Sequence, residues 1–94
     1  MTTLEKAIET YGKDMQLNVA VEELSELIKE ICKHKRGRDN KANIIEEMAD
    51  CYIMLQQLMI IFDIDYEYLN GIIEFKIERL ERMIEERSKN ENRE

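Results

Sequence analysis

The chain has 94 residues, a formal net charge of −7, 37% charged residues and 44% hydrophobic residues. That length holds one domain with a modest core. The acidic excess speaks against binding nucleic acid or an anionic membrane surface, since both require a basic footprint. An acidic protein can still act on nucleotides when a metal supplies the local positive charge.

With no proline and three glycines, the composition predicts an all-α fold. Thr2 followed by Glu5 is a capping-box pattern for a short first helix, and Gly12 marks its break. From Asp14 to about Arg36, Leu17, Val21, Leu24, Leu27, Ile28 and Ile31 recur at helical spacing. Lys33, Lys35 and Arg36 gather at the end of that helix, where cations favour the dipole, and Gly37 terminates it. Asp39 or Asn40 is the expected cap of a second long helix from about Lys41 to Phe62. That helix is apolar over most of its circumference, so it should be buried on several sides. Asp63 or Asp65 caps a third long helix, expected to run to about Arg87, with Ser88 to Glu94 as a frayed tail.

Three long helices and a short one, joined by short loops, predict a single-domain helical bundle over residues 1–94. One copy has too little chain to cover the second long helix, so a homodimer or homotetramer is expected to complete a four-helix core. Cys32 and Cys51 have no metal-finger spacing and read as small core hydrophobes in a reducing compartment. No signal peptide is visible, and the run Met48 to Phe62 is too short to span a bilayer. A soluble, cytoplasmic protein is expected.

The acids are the informative residues. Glu23 and Glu26 lie three apart on one predicted helix, and Glu47 and Asp50 lie three apart on the next. Residues at that spacing are neighbours on a helix surface. At about 100° per residue, Gln16, Val19, Glu23, Glu26 and Glu30 share an arc of roughly 80°. The strip is a plausible floor for a ligand, with Val19 offering an apolar contact, and the blander alternative is a solvated helix face. Glu47 and Asp50 are harder to dismiss, because Met54, Leu58 and Ile61 on the same face look like core. Carboxylates there must be ion-paired, protonated or metal-bound. Clustered carboxylates with hard oxygen donors suit magnesium.

Lys76 sits in the apolar stripe of the third long helix, with Arg79 at its edge. It can snorkel to solvent, or reach a carboxylate or a phosphate. His34 lies among basic residues near a helix end and reads as a dipole-favoured residue. A di-iron carboxylate site is excluded, since that motif puts a glutamate three residues before its histidine and Ile31 stands there. A glycine-rich phosphate loop and a serine or cysteine nucleophile beside a histidine are also missing.

Glu22-Glu23-x-x-Glu26, then Glu47-x-x-Asp50 after residues 27–46, resembles the signature of MazG-like nucleoside triphosphate pyrophosphohydrolases, of the all-α NTP pyrophosphatase superfamily. Gln16, Arg36-Gly37, the segment Glu46 to Leu55 and Lys76-x-x-Arg79-Leu80 are similar to small members as well, so the likeness spans about Tyr11 to Ile84. The resemblance implies hydrolysis of a nucleoside or deoxynucleoside triphosphate to the monophosphate and pyrophosphate. It implies that Glu23, Glu26, Glu47 and Asp50 hold magnesium, with manganese a substitute, and that Glu22 serves a further ion. Glu22 or Glu26 would orient the attacking water. Lys76 and Arg79, helped by Lys33 or Arg36, would neutralise phosphate charge, and Gln16 would face the base or sugar. The second domain of the longer tandem members is not expected. The alternatives are a dUTP-specific dUTPase of the same superfamily, a metal or nucleotide sensor without turnover, and a non-catalytic bundle whose acids are only surface charge.

Overall fold

The computed structural model describes residues 1–92, and every regular element in them is an α-helix: α1 (Thr3–Tyr11), α2 (Lys13–Lys35), α3 (Lys41–Ile61) and α4 (Tyr66–Asn92). The all-α expectation holds. The chain divides into two compact units, Met1–Asp63 and a second that begins at Ile64.

Local chemistry accounts for the helix boundaries. Thr2 and Glu5 form the full capping box: the Thr2 hydroxyl accepts from the Glu5 amide, and the Glu5 carboxylate accepts from the Thr2 amide, both at 3.2 Å. A cap of this kind contributes about 1 kcal/mol. Gly12 closes α1 and opens α2 at φ 89°, a left-handed value that suits glycine. Beyond α2, Gly37 takes φ 96°, and the amides of Gly37 and Arg38 bond back to the carbonyls of His34 and Lys33. Those bonds satisfy carbonyls that the helix end would leave bare.

Asn40 occupies the N-cap position of α3, but its side chain does not cap. It reaches back instead, donating to the Glu30 carbonyl at 2.9 Å and to the Glu30 carboxylate at 2.6 Å. This tie between the start of α3 and the last turns of α2 shapes the hairpin. At the other end of the chain, α4 continues to Asn92, past the expected end near Arg87. Residues 93 and 94 of the expected frayed tail lie outside the described residues.

In the first unit, α2 and α3 form an antiparallel hairpin with α1 packed against both. Glu30 meets Asn40 near the turn, and Glu23 meets Cys51 further along, so the helices run in opposite directions. The buried apolar residues are Ile8, Ala20, Cys51 and Met54. Gln16, Glu30, Asn40 and Gln57 are buried with them. On α2 the inward line is therefore Gln16, Ala20 and Glu30, with Glu23 and Glu26 half-buried, and the strip is not a solvated face. Most of the apolar stripe beside it points outward: Val21, Leu24, Ile28 and Ile31 are exposed, while Leu17 and Leu27 are half-buried. Cys32 is exposed too, so only Cys51 behaves as a core hydrophobe.

The second unit is dominated by α4, which buries none of its residues. Ile72, Ile73, Ile77, Leu80, Met83 and Ile84 are all exposed. No helix among the described residues is long and apolar enough to cross a membrane.

Candidate functional site

An antiparallel hairpin has two sides, and helical geometry assigns residues to them. From the contact line through Glu23 and Cys51, a step of one residue backward turns about 100°. Because the helices run oppositely, that step turns both toward the same side. Glu22 on α2 and Asp50 on α3 are those residues, and Glu26 falls on the same side one turn along.

Carboxylate oxygens of Glu23, Glu47 and Asp50 converge to within 4.8 Å of one another. Glu23 and Glu47 are half-buried. Among the described residues the side-chain ion pairs are Lys33 with Glu30 and Arg87 with Glu91, so none reaches this trio. The electrostatic consequence is direct. Loss of solvent pushes the Glu23 carboxyl above the usual carboxylate range, and the facing Asp50 adds to the shift, with smaller pushes from Glu47 and Glu22. Glu47 is raised in the same way, first by desolvation, then by Asp50, Glu26 and Glu30. Cys51 lies against the trio, its thiol donating to the Glu23 carbonyl at 3.5 Å. Burial, then the charges of Glu23, Glu47 and Asp50, raise that thiol, so it stays protonated and is a poor ligand for a hard ion.

Oxygens sharing one magnesium at about 2.1 Å can stand no more than about 4.2 Å apart. A separation of up to 4.8 Å lies within a side-chain adjustment of that limit. Two half-buried acids and a third, with no cation beside them, fit a hard divalent ion of the magnesium or manganese type.

The other expected site residues divide. Glu26 lies near enough to raise Glu47 but stands outside the trio, and Glu22 is exposed. Lys33 is occupied, its ammonium 3.3 Å from the Glu30 carboxylate. Glu30 accepts from both Asn40 and Lys33, and the Asn40 bond above all holds its carboxyl below the usual range. It is thus a structural acid that locks the hairpin end. Gln16 is buried on α2. Lys76 and Arg79 are exposed, a helical turn apart on α4.

Gln57 carried no functional expectation from the sequence, where it passed as one amide in an apolar run. It is only 3% exposed, and its Oε1 has no hydrogen-bond partner among the described residues. Gln16 precedes Glu23 by two helical turns, and Gln57 follows Asp50 by the same interval, about 10 Å at the α-helical rise. In an antiparallel hairpin both amides therefore lie at the same end, on one side of the acids along its length. Matching intervals from the two acidic pairs were the available signal.

No protein-family model, curated protein or solved structure matches this chain.

Proposed function

We propose that the protein is a magnesium-dependent hydrolase that converts a nucleoside or deoxynucleoside triphosphate and water to the nucleoside monophosphate and pyrophosphate. The observation that carries this reading is the convergence of Glu23, Glu47 and Asp50 on one point without a cation to pair them. Three hard oxygen donors are the ligand set that a magnesium–triphosphate complex seeks. The charge pattern supports it as well, since a net −7 chain needs a metal to receive a polyanion.

Glu23, Glu47 and Asp50 would hold the ion, and Glu26, one turn from Glu23, would complete the set. A magnesium ion held there would supply Lewis-acid chemistry, polarising the phosphates and activating water. Glu22 or Glu26 orients the attacking water and takes its proton. The resemblance assigns Lys76 and Arg79 to neutralising charge on the phosphates. Lys33 can join them only by leaving Glu30. Gln16 meets the base or sugar, and its distance of about 10 Å from the acids along α2 suits a nucleoside whose phosphates sit at the metal.

The alternative with its own observation is a bundle whose acids share protons instead of a metal. The close approach of Glu23 and Asp50, with the raised Glu23 carboxyl, favours it. One assay separates the two: pyrophosphate release from a panel of NTPs and dNTPs, with magnesium or with EDTA, for the wild type and Glu47→Gln. Metal-dependent release that disappears in the variant is the expected result, and release from dUTP alone would narrow the enzyme to a dUTPase. No release from any nucleotide would sink the hydrolase reading.

A further inference from the structure

We infer that Gln57 determines which base this site accepts, its carboxamide oxygen taking a hydrogen bond from an N–H of the nucleobase. The inference rests on the nucleotide reading above for its ligand, and it does not require turnover.

Gln57 is 3% exposed on α3, and its Oε1 has no partner among the described residues. About nine in ten or more of the buried polar groups in folded proteins are paired, so an exception needs a cause. The other unpaired buried atom among the described residues is Asn40 Oδ1. Its side chain is nonetheless anchored, since Nδ2 donates twice to Glu30. Asn40 therefore has a structural role, and Gln57 has no bond of that kind through its oxygen.

Position supplies the cause. Seven residues separate Asp50 from Gln57, a rotation of about 700°, so the two lie within about 20° of one another around α3. Gln16 stands in the same relation to Glu23 on α2. The two buried amides thus continue the faces that carry the acids, about 10 Å along the hairpin. α1 joins α2 through Gly12, one turn before Gln16, and packs against both long helices. It buries only Ile8, so little apolar surface ties it down against the entry of a planar ring.

The unpaired group is an acceptor, and this selects among the parts of a nucleotide. Ionised phosphate has no proton to give it. With the phosphates at the acids, the sugar lies between them and the base, and a group two helical turns away meets the base. A ring or amino N–H is the donor found there. An analogue without that N–H leaves the buried oxygen bare, which is the strongest form of discrimination a site can build.

The test is calorimetric binding, in magnesium, of α,β-methylene NTPs and dNTPs, which the proposed cleavage cannot consume. For the base bound best, the panel includes analogues in which each N–H in turn is methylated. Wild type should bind the parent at least about 10-fold tighter than one of these analogues. Gln57→Leu should abolish that difference by weakening the parent alone. Without ligand, the variant should melt no lower than the wild type, because it removes an unpaired buried acceptor. If leucine lowers the helicity, Gln57→Met replaces it in the same comparison. A wild type that binds no nucleotide, a variant that keeps the difference, or an equal loss for every nucleotide overturns the inference. A lower melting temperature overturns it too, since Gln57 would then have a bond in the free protein. So does a change confined to the preference between ribose and deoxyribose, which would make a sugar hydroxyl the donor. Binding with the expected loss, but no pyrophosphate release from the ordinary triphosphates, supports Gln57 and sinks only the hydrolase reading.

Discussion

The two sides of the α2–α3 hairpin differ in a way that reverses ordinary amphipathic order. Its inner line holds Gln16, Glu30, Asn40 and Gln57 among few apolar side chains, while Val21, Ile28, Tyr52, Leu55 and Phe62 face out. A soluble helix pair normally hides its apolar stripe and wets its charges. Here each polar inner group has a specific assignment or lacks a partner. Glu30 is bonded to Asn40 and Lys33, and the trio of Glu23, Glu47 and Asp50 has no cation. The lesson is that the inner line is built around polar chemistry, and the apolar side chains of the same hairpin are left exposed.

The largest expected effect strikes the acids. Substituting even a residue that supports a metal ligand costs about 10–100-fold in affinity or activity, so on the proposed function Glu47→Gln should cost at least about 100-fold in turnover. The same variant, stripped of metal, should melt a few degrees higher than the wild type by calorimetry, because a neutral amide removes repulsion from Asp50 and Glu26. A lower melting temperature would mean that Glu47 is held by a bond of its own.

Next comes the contrast between Met54 and Leu55, adjacent residues about 100° apart around α3, one buried and one exposed. Met54→Ala, at 7% exposure, opens a cavity in the hairpin and should cost about 2–5 kcal/mol by urea unfolding. Leu55→Ala, at 49% exposure, should cost clearly less, since it leaves no cavity in the hairpin. Equal costs would erase the distinction between the two positions.

Asn40→Ala should cost about 1–3 kcal/mol, since it strips the buried Glu30 carboxylate and carbonyl of a donor. Thr2→Ala removes an exposed cap and should fall near the low end, about 1 kcal/mol. The order of the two is the test: a larger loss at Thr2 would make the Asn40–Glu30 tie incidental.

The smallest effect is the pH dependence of the metal-free protein. Glu23 and Glu47 carry folded pKa values above the ordinary 4.5, so the folded state holds protons that the unfolded chain has released. Their contribution is fully present below 4.5 and is lost as pH rises through the raised folded values. Glu5 and Glu30 shift downward and act oppositely, contributing above 4.5 and losing that contribution as pH falls through their lowered values. In EDTA, the melting temperature should therefore rise as pH is brought down from neutral toward 4.5, then fall below it. Magnesium should flatten the upper limb, because ligation favours the ionised acids. A melting temperature that climbs steadily to neutral pH in EDTA would show that the trio is not strained.

Much of this was legible in the residues. The capping box at Thr2 and Glu5, the breaks at Gly12 and Gly37 and the three long periodic segments all follow from short-range chemistry that a sequence displays. The spacing of Glu23, Glu47 and Asp50 also identified those three acids before any coordinates. Other features depended on which face packs against which. Asn40 looked like a cap and became a cross-link, because a carboxylate ten residues earlier in the chain competed for its amide. Val21, Leu24, Ile28 and Ile31 of the α2 stripe stand exposed, because periodicity records a helix's polar and apolar sides but not which one meets the neighbour. Glu26 was grouped with the ligands by its spacing, yet it lies outside the trio, since a separation of three residues fixes direction on one helix and not distance to the next. Local bonds between near neighbours determined the helices and their ends. Only tertiary packing decided that the polar line faces inward, that Gln57 is buried with it, and that a broad apolar face is left over.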